Sequence, residues 1–221
     1  GEPLSGAAIG TVLASRVPEI PVGATVLHDR GWRECAVVPA KSARVIDTSV
    51  VPAETYLGAL GGTGFTAWVG LRIIADVKPG ETIFVSGAAG AVGSMAVQLA
   101  KRWGLRVIGS ASSPEKARVV REEFGADGAF DYHDGPYKQL RALAPEGIDV
   151  YFDNVGGEQL EAAISATRTF ARIVLCGAVS QYNAASPPPG PRNLGITIQR
   201  RLRLQGFIVI DHLARFGDYI A

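Results

Sequence analysis

Cysteine is scarce in this 221-residue chain: there are two, Cys35 and Cys176, beside three histidines and one methionine. Two cysteines cannot build a four-cysteine zinc lobe, and they do not suggest a secreted disulfide framework. His28, His133 and His212 are scattered without ligand spacing, so no metal site is expected. An excess of charge is also missing. The 22 Lys and Arg against 21 Asp and Glu leave a net charge of +1, which gives no reason to expect nucleic acid or an acidic membrane as partner. No apolar run reaches about 18 residues, the rough length of a membrane span, and no signal peptide is visible. These absences lead to the expectation of a soluble, cytoplasmic protein. What is present is an ordinary globular composition, 47% hydrophobic and 19% charged, sufficient for one large core or two lobes.

Residues 1–50 read as β-rich, with short apolar strands at Ile9–Ala14, Ala24–Leu27 and Cys35–Pro39 broken by Gly, Pro and Asp. Ala53–Ala75 reads as a helical segment interrupted at Gly61-Gly62-Thr63-Gly64 and closed by the turn Lys78-Pro79-Gly80. From Glu81 the pattern alternates. Strands are expected at Thr82–Ser86, Leu105–Gly109, Gly128–Asp131, Ile148–Phe152 and Ala171–Cys176. Helices are expected at Ala91–Trp103, Pro114–Phe124 with Gly125 as C-cap, Pro136–Leu143 and Gly157–Ala166. A sixth strand at Leu202–Ile210 would follow the Pro-rich stretch Ser186–Pro191, where Pro187-Pro188-Pro189 makes a stiff loop. Repeated βα units with right-handed crossovers imply an α/β fold with a doubly wound parallel sheet over 51–221.

The sharpest motif is Gly87-Ala88-Ala89-Gly90-Ala91-Val92-Gly93, between a buried strand and a helix start. Unpaired N–H groups at a helix N-terminus carry partial positive charge, so a diphosphate binds there. Gly90 would let the backbone approach the phosphates, and Gly93 would let the helix pack closely. The match to G-x-G-x-x-G is incomplete, since Ala88 stands at the first glycine. A tight structural turn is the plain alternative; the surrounding βα units favour a dinucleotide.

The choice of dinucleotide rests on the second strand. An NAD site places an acid near its end, on the ribose 2′-OH. Here the stretch is Gly109-Ser110-Ala111-Ser112-Ser113-Pro114-Glu115-Lys116, with small hydroxyls and then a cation. With Ser113 as N-cap and Pro114 as N1, Lys116 falls at N3, where a capping box would place Glu or Gln. A cation there opposes the helix dipole by about 0.3–1 kcal/mol. A locally unfavourable charge suits a 2′-phosphate ligand and points to NADP(H).

Three separated motifs, Ala-Ala-Gly-Ala-Val-Gly-Ser at 88–94, Phe-Asp-Asn-Val-Gly-Gly at 152–157 and Cys-Gly-Ala-Val-Ser-Gln-Tyr-Asn at 176–183, resemble the zinc-independent medium-chain dehydrogenase/reductases. Within them the resemblance is to the prostaglandin reductase / leukotriene B4 12-hydroxydehydrogenase group of NADP-dependent alkenal/one double-bond reductases. It covers essentially the whole chain. It implies a Rossmann domain over 51–221 and, at 1–50, the remnant of a GroES-like substrate barrel, in a chain expected to lack both native ends. It implies that Gly90, Ala91, Val92 and Gly93 hold the pyrophosphate, that Ser112, Lys116 and Tyr132 meet the 2′-phosphate, and that Asn154 meets the cofactor beyond the fourth strand of the sheet. It implies that Cys176, Gly177, Ala178 and Tyr182 run along ribose and nicotinamide, and that Phe207, Ile208 and Val209, on the last strand, lie near the nicotinamide. Two departures stand out. Zinc-dependent relatives carry Gly-His-Glu where this chain reads Ser5-Gly6-Ala7, and a tyrosine of the group is replaced by Gln199.

The implied chemistry is hydride transfer from NADPH to the β-carbon of an enone or enal. Tyr182 or the cofactor's ribose hydroxyl would stabilise the developing enolate, and water would return the proton. Asp153 reads as a structural acid and Cys176 as a small core residue. Tyr56, Trp68 and Trp103 read as helix packing. Arg200, Arg201 and Arg203 read as a solvated basic face or a subunit edge, with a homodimer through the sheet edge as one expectation. The alternatives are an NADPH quinone oxidoreductase and, in another class, a non-catalytic NADP-binding protein.

Overall fold

The computed structural model describes residues 4–186 and 188–221; Pro187 of the expected proline triplet lies outside them. Contacts divide the chain into units of residues 1–63 and 64–221, a division later in the chain than the one the composition places at 50/51.

In the first unit, strands β1 (Ala8–Thr11), β2 (Thr25–His28) and β3 (Arg44–Val45) form an antiparallel sheet in that order. The expected strand at Cys35–Pro39 does not form. A strand needs a neighbour for its N–H and C=O groups, and β2 takes Arg44–Val45 instead, leaving Val37 95% exposed. The helical segment expected over Ala53–Ala75 breaks into a 3₁₀ turn (Ala53–Tyr56), α1 (Gly62–Trp68) and a π-helical turn (Val69–Ile74). Gly70 lies flat on the sheet, because a Cβ there would stand 2.4 Å from the Phe152 ring.

In the second unit, β4 (Thr82–Val85), β5 (Arg106–Ala111), β6 (Gly128–Asp131), β7 (Ile148–Asp153), β8 (Thr167–Leu175) and β9 (Arg203–Gly206) form a parallel sheet in the order β6-β5-β4-β7-β8-β9. The helices are α2 (Ala91–Arg102), α3 (Pro114–Glu122), α4 (Pro136–Leu143), α5 (Gly157–Ala166), α6 (Gly195–Arg200) and α7 (Phe216–Ile220). This is the doubly wound Rossmann arrangement. The pleat divides the strand residues between two cores. Ile83, Val85, Val107, Val150, Phe152 and Val174 pack with Ala96, Val97 and Ala100 of α2 and Val120 of α3. Phe84, Ile108, Phe130, Tyr151 and Ile173 pack with Leu140 of α4 and Ala163 and Ile164 of α5. Burying each larger side chain contributes about 1.5–3 kcal/mol, so the apolar runs of β4 and β7, covered on both faces, anchor the sheet.

Two strands of the parallel sheet depart most from the expected bounds. β8 starts four residues early, and a bulge at Phe170 (φ +65) shifts its register on β7 from Ile148↔Thr167 to Val150↔Arg172. β9 stops at Gly206, so Phe207, Ile208 and Val209 are not on the last strand. The final ladder pair is Leu175↔Gly206; past it β8 offers no partner, and a 3₁₀ helix (Val209–Arg215) follows. Phe207 and Val209 turn toward the core while Ile208 stays exposed.

The Arg200, Arg201 and Arg203 cluster is also not a simple solvated face. Arg200 donates to the carbonyls of Ile164, Ser165 and Thr167 past the end of α5, where orphan acceptors and the negative end of the dipole favour a cation. Arg203 donates to the Ile74 carbonyl, and Arg201 lies 4.7 Å over the Phe170 ring.

Candidate functional site

The strand order reverses between β4 and β7: the chain runs from β4 outward to β5 and β6, then returns to β7 and runs out the other way. The turns leaving β4 and β7 therefore diverge, and a crevice opens at the carboxyl ends of the strands.

After β4 the turn is built around its glycines. Gly87 adopts φ +59, the Ala88 N–H donates to the Ser110 carbonyl (2.8 Å), and the Gly90 N–H donates to the Gly87 carbonyl (2.9 Å). The first bond of α2 runs from the Ser94 N–H to the Gly90 carbonyl (2.8 Å), and Gly90 brings no capping side chain. The amides of Ala91, Val92 and Gly93 precede any helical acceptor and are left for an external anion. A Cβ on Gly93 would lie 2.1 Å from the Gly87 oxygen and 2.9 Å from the Ala88 Cα. Only glycine lets α2 start this close to the turn.

After β5, Ser113 caps α3 by accepting the Lys116 N–H (3.3 Å), with Pro114 at N1. The Lys116 ammonium turns back onto the Ser112 hydroxyl (3.2 Å), which places a cation at the end of β5 where an acid would accept a ribose hydroxyl. After β6, the Tyr132 ring packs tilted against His133 (ring centroids 4.0 Å apart), and Asp131 accepts from the His133 backbone N–H. That amide, followed by the imidazole 2.6 Å away, holds the Asp131 carboxyl below its usual range.

After β7 a buried network fixes the loop. Asp153 is 1% exposed, and its Oδ1 accepts from Tyr151 Oη (2.7 Å), Ser86 Oγ (3.1 Å) and the amides of Val155 (2.9 Å) and Gly156 (2.8 Å). Burial first, then the Asp153 charge, pushes the Tyr151 hydroxyl well above its usual value, so it stays a donor. Asp153 is a structural acid in this setting. Asn154 donates through Nδ2 to the Ser86 carbonyl (2.8 Å), leaving its amide oxygen for a donor. The loop after β8 is tied on by Val179 N–H to the Asn154 carbonyl and Ser180 Oγ to the Val155 carbonyl.

Together these turns enclose a groove of about 730 Å³, a size suited to a cofactor. It brings Gly90, Ala91, Val92, Gly93, Ser112, Lys116, Tyr132 and Asn154 onto one surface. Cys176, Gly177, Ala178, Tyr182, Phe207, Ile208 and Val209 are not on its walls. The Tyr182 side chain is exposed and accepts the Ala178 N–H at 3.1 Å. The Cys176 thiol is pushed up to about 12 by burial and by the Asp153 charge, which makes it a poor nucleophile. Ser110 and Gln159 on the walls had no assignment from the sequence, whereas Val179 and Ser180 stand within the cofactor-facing motif at 176–183. Ser110 and Gln159 are 49 positions apart and meet through the fold. Val155 and Gly156 also line the groove and stand within the Phe-Asp-Asn-Val-Gly-Gly motif, which was the signal for them.

The first unit has its own, larger concavity of about 1380 Å³ beside β1, with Arg33, Glu34 and Cys35 on its walls. Among the described residues no three His, Cys, Asp or Glu side chains stand together as a metal site, and none of the helices formed by them is long and apolar enough to cross a membrane.

The groove thus fits a dinucleotide: free amides for a diphosphate, a glycine cradle that a Cβ would fill, and a cation one turn away. Residues 91–220 match the family described as zinc-binding dehydrogenase. The chain is 38% identical to a 2-alkenal reductase (NADP(+)-dependent) of Nicotiana tabacum, over 100% of this chain and 65% of that protein. It is 41% identical to (+)-pulegone reductase of Mentha piperita, over 96% of this chain and 63% of that one. The crystal structure of CurA from Vibrio vulnificus in complex with NADPH superposes with a TM-score of 0.88 at 37% identity, covering 97% of this chain and 66% of CurA. The chain spans just under two thirds of the length of these relatives. It belongs to the zinc-binding dehydrogenase family, within the medium-chain dehydrogenase/reductases.

Proposed function

We propose that this chain is the nucleotide-binding part, with a portion of a GroES-like substrate lobe, of an NADPH-dependent reductase of the C=C bond of α,β-unsaturated ketones and aldehydes. The observation that carries the reading is the pairing of three free amides, Ala91 to Gly93, with the Lys116 ammonium at the end of β5. The amides recognise a diphosphate and the ammonium a 2′-phosphate, where an acid would have selected NAD. The relatives named as alkenal and pulegone reductases support the substrate class.

NADPH, when bound, supplies hydride. The chain's residues supply position and polarity. The turn and Lys116 hold the adenosine end, and Asn154, pinned by Ser86, orients the ribose side with its amide oxygen. Negative charge develops on the substrate carbonyl oxygen and needs a donor in a dry site. Tyr182 is the proposed donor: its oxygen is occupied as an acceptor for the Ala178 N–H, so its own proton remains to give. Cys176, Gly177, Ala178 and the segment Phe207, Ile208, Val209 complete the proposed nicotinamide side. No zinc-dependent step is derived, because no fitting donor set is present among the described residues. The edge strand β9 has β8 as its sole ladder partner among the described residues, and a homodimer of a cytoplasmic enzyme through that edge is part of the proposal.

Fluorescence titration with NADPH and NADH, followed by NADPH oxidation with an enone and with a quinone, tests the reading. Preference for NADPH and faster turnover of the enone are expected. Binding without acceleration by any enone would overturn the enzymatic claim, and faster quinone turnover would move the protein to the quinone oxidoreductases.

A further inference from the structure

A polar contact on the groove wall stands apart from the phosphate chemistry. Ser110, near the end of β5 and fully buried, donates through Oγ to Gln159 Oε1; Gln159 is the third residue of α5 and 4% exposed. Both line the groove. With its oxygen held by Ser110, the Gln159 amide presents its other end, Nε2–H2, as donor only. That nitrogen has no hydrogen-bond partner among the described residues, and it is not sealed away: Asn193 Oδ1 is the one such side-chain atom found both buried and unpartnered. An amide donor open to the groove is bonded to water when the groove is empty, and a ligand acceptor entering there can take that bond.

We infer that Gln159 is a recognition residue for the adenine ring of the cofactor, oriented by Ser110. This rests on the dinucleotide reading above. The adenosine ribose spans the diphosphate turn (Gly90 to Gly93) and the 2′-phosphate cation (Lys116), and the base it carries at C1′ must be held by the same groove. Ala111, Val155 and Val179 are among its apolar walls, surfaces on which a planar base can lie. The ring nitrogens of adenine are acceptors, and the Gln159 amide offers the matching donor. The contact selects for the nucleoside half and is independent of the nicotinamide.

Isothermal titration of Gln159→Leu and Ser110→Ala with 2′,5′-ADP and with NADPH tests this, with melting of the ligand-free proteins as control. One hydrogen bond corresponds to roughly threefold to tenfold in affinity. Gln159→Leu is expected to weaken both ligands by the same factor, and Ser110→Ala, which frees the amide to turn, by a smaller one. If Gln159→Leu does not fold, Gln159→Met is measured instead; it keeps the length and volume of the side chain, lacks the donor and adds no charge beside the phosphates. Unchanged affinity for 2′,5′-ADP, or a loss confined to NADPH, overturns the inference. Failure of the unmodified protein to bind either ligand overturns the dinucleotide reading itself, and this inference with it.

Discussion

The Tyr151 hydroxyl donates to Asp153 Oδ1 at 2.7 Å, two residues along the same strand and beneath the floor of the groove. The same oxygen collects the amides of Val155 and Gly156, so a single buried carboxylate converts the end of β7 into a fixed loop facing the cofactor groove. A carboxylate can accept this many donors because it is acceptor-only.

Asp153→Ala is expected to remove the common acceptor and leave several buried donors unpaired. Each unpaired buried donor costs about 1–3 kcal/mol, so the loss of stability is on the order of 3–5 kcal/mol. Urea unfolding of the two proteins measures it. A change under about 1 kcal/mol would show that the network is not holding the loop.

Lys116→Glu replaces the cation at the end of β5 with an acid. NADPH affinity is expected to fall roughly 10- to 100-fold, the size of a lost charge-assisted contact, while NADH affinity holds or rises. Paired titrations read the ratio, and an unaltered NADPH affinity would remove the basis for NADP preference.

Gly93→Ala forces a Cβ against the Gly87 oxygen, 2.1 Å away in the present geometry. The start of α2 must shift. A destabilisation of about 1–3 kcal/mol is expected, together with weaker NADPH binding, because the freed amides move with the turn. Denaturation and titration of the same variant separate the two effects.

The two thiols should differ in reactivity. Cys35 is exposed, whereas the Cys176 thiol is pushed up to about 12. At pH 8 only about one part in ten thousand of Cys176 is thiolate. A chromogenic disulfide reagent should titrate one thiol in the native protein and the second only after unfolding. Two rapid equivalents would contradict the placement of Cys176.

The βα alternation from β4 to α5 was legible because each local cue agreed with the fold: the apolar run Ile83-Phe84-Val85 of β4, the helical spacing of α2, and Ser113-Pro114 at the start of α3. The same agreement made the glycine turn and Lys116 readable, since a helix start and its charge are local matters. At Cys35–Pro39 and Phe207–Val209 the local pattern suggested strands, yet a strand forms only beside a partner. β2 paired with Arg44–Val45, and β8 ended at Leu175.

By itself the sequence determined the order of the elements, the glycine cradle and the cation at the end of β5, because hydrophobic period, backbone freedom and caps act over a few residues. Only the tertiary structure decided that Ser110 meets Gln159, that Ser86 meets Asp153, and that Arg200 and Arg203 serve carbonyls far back in the chain. Such contacts join residues far apart in the chain, and no short-range rule specifies them before the sheet has assembled.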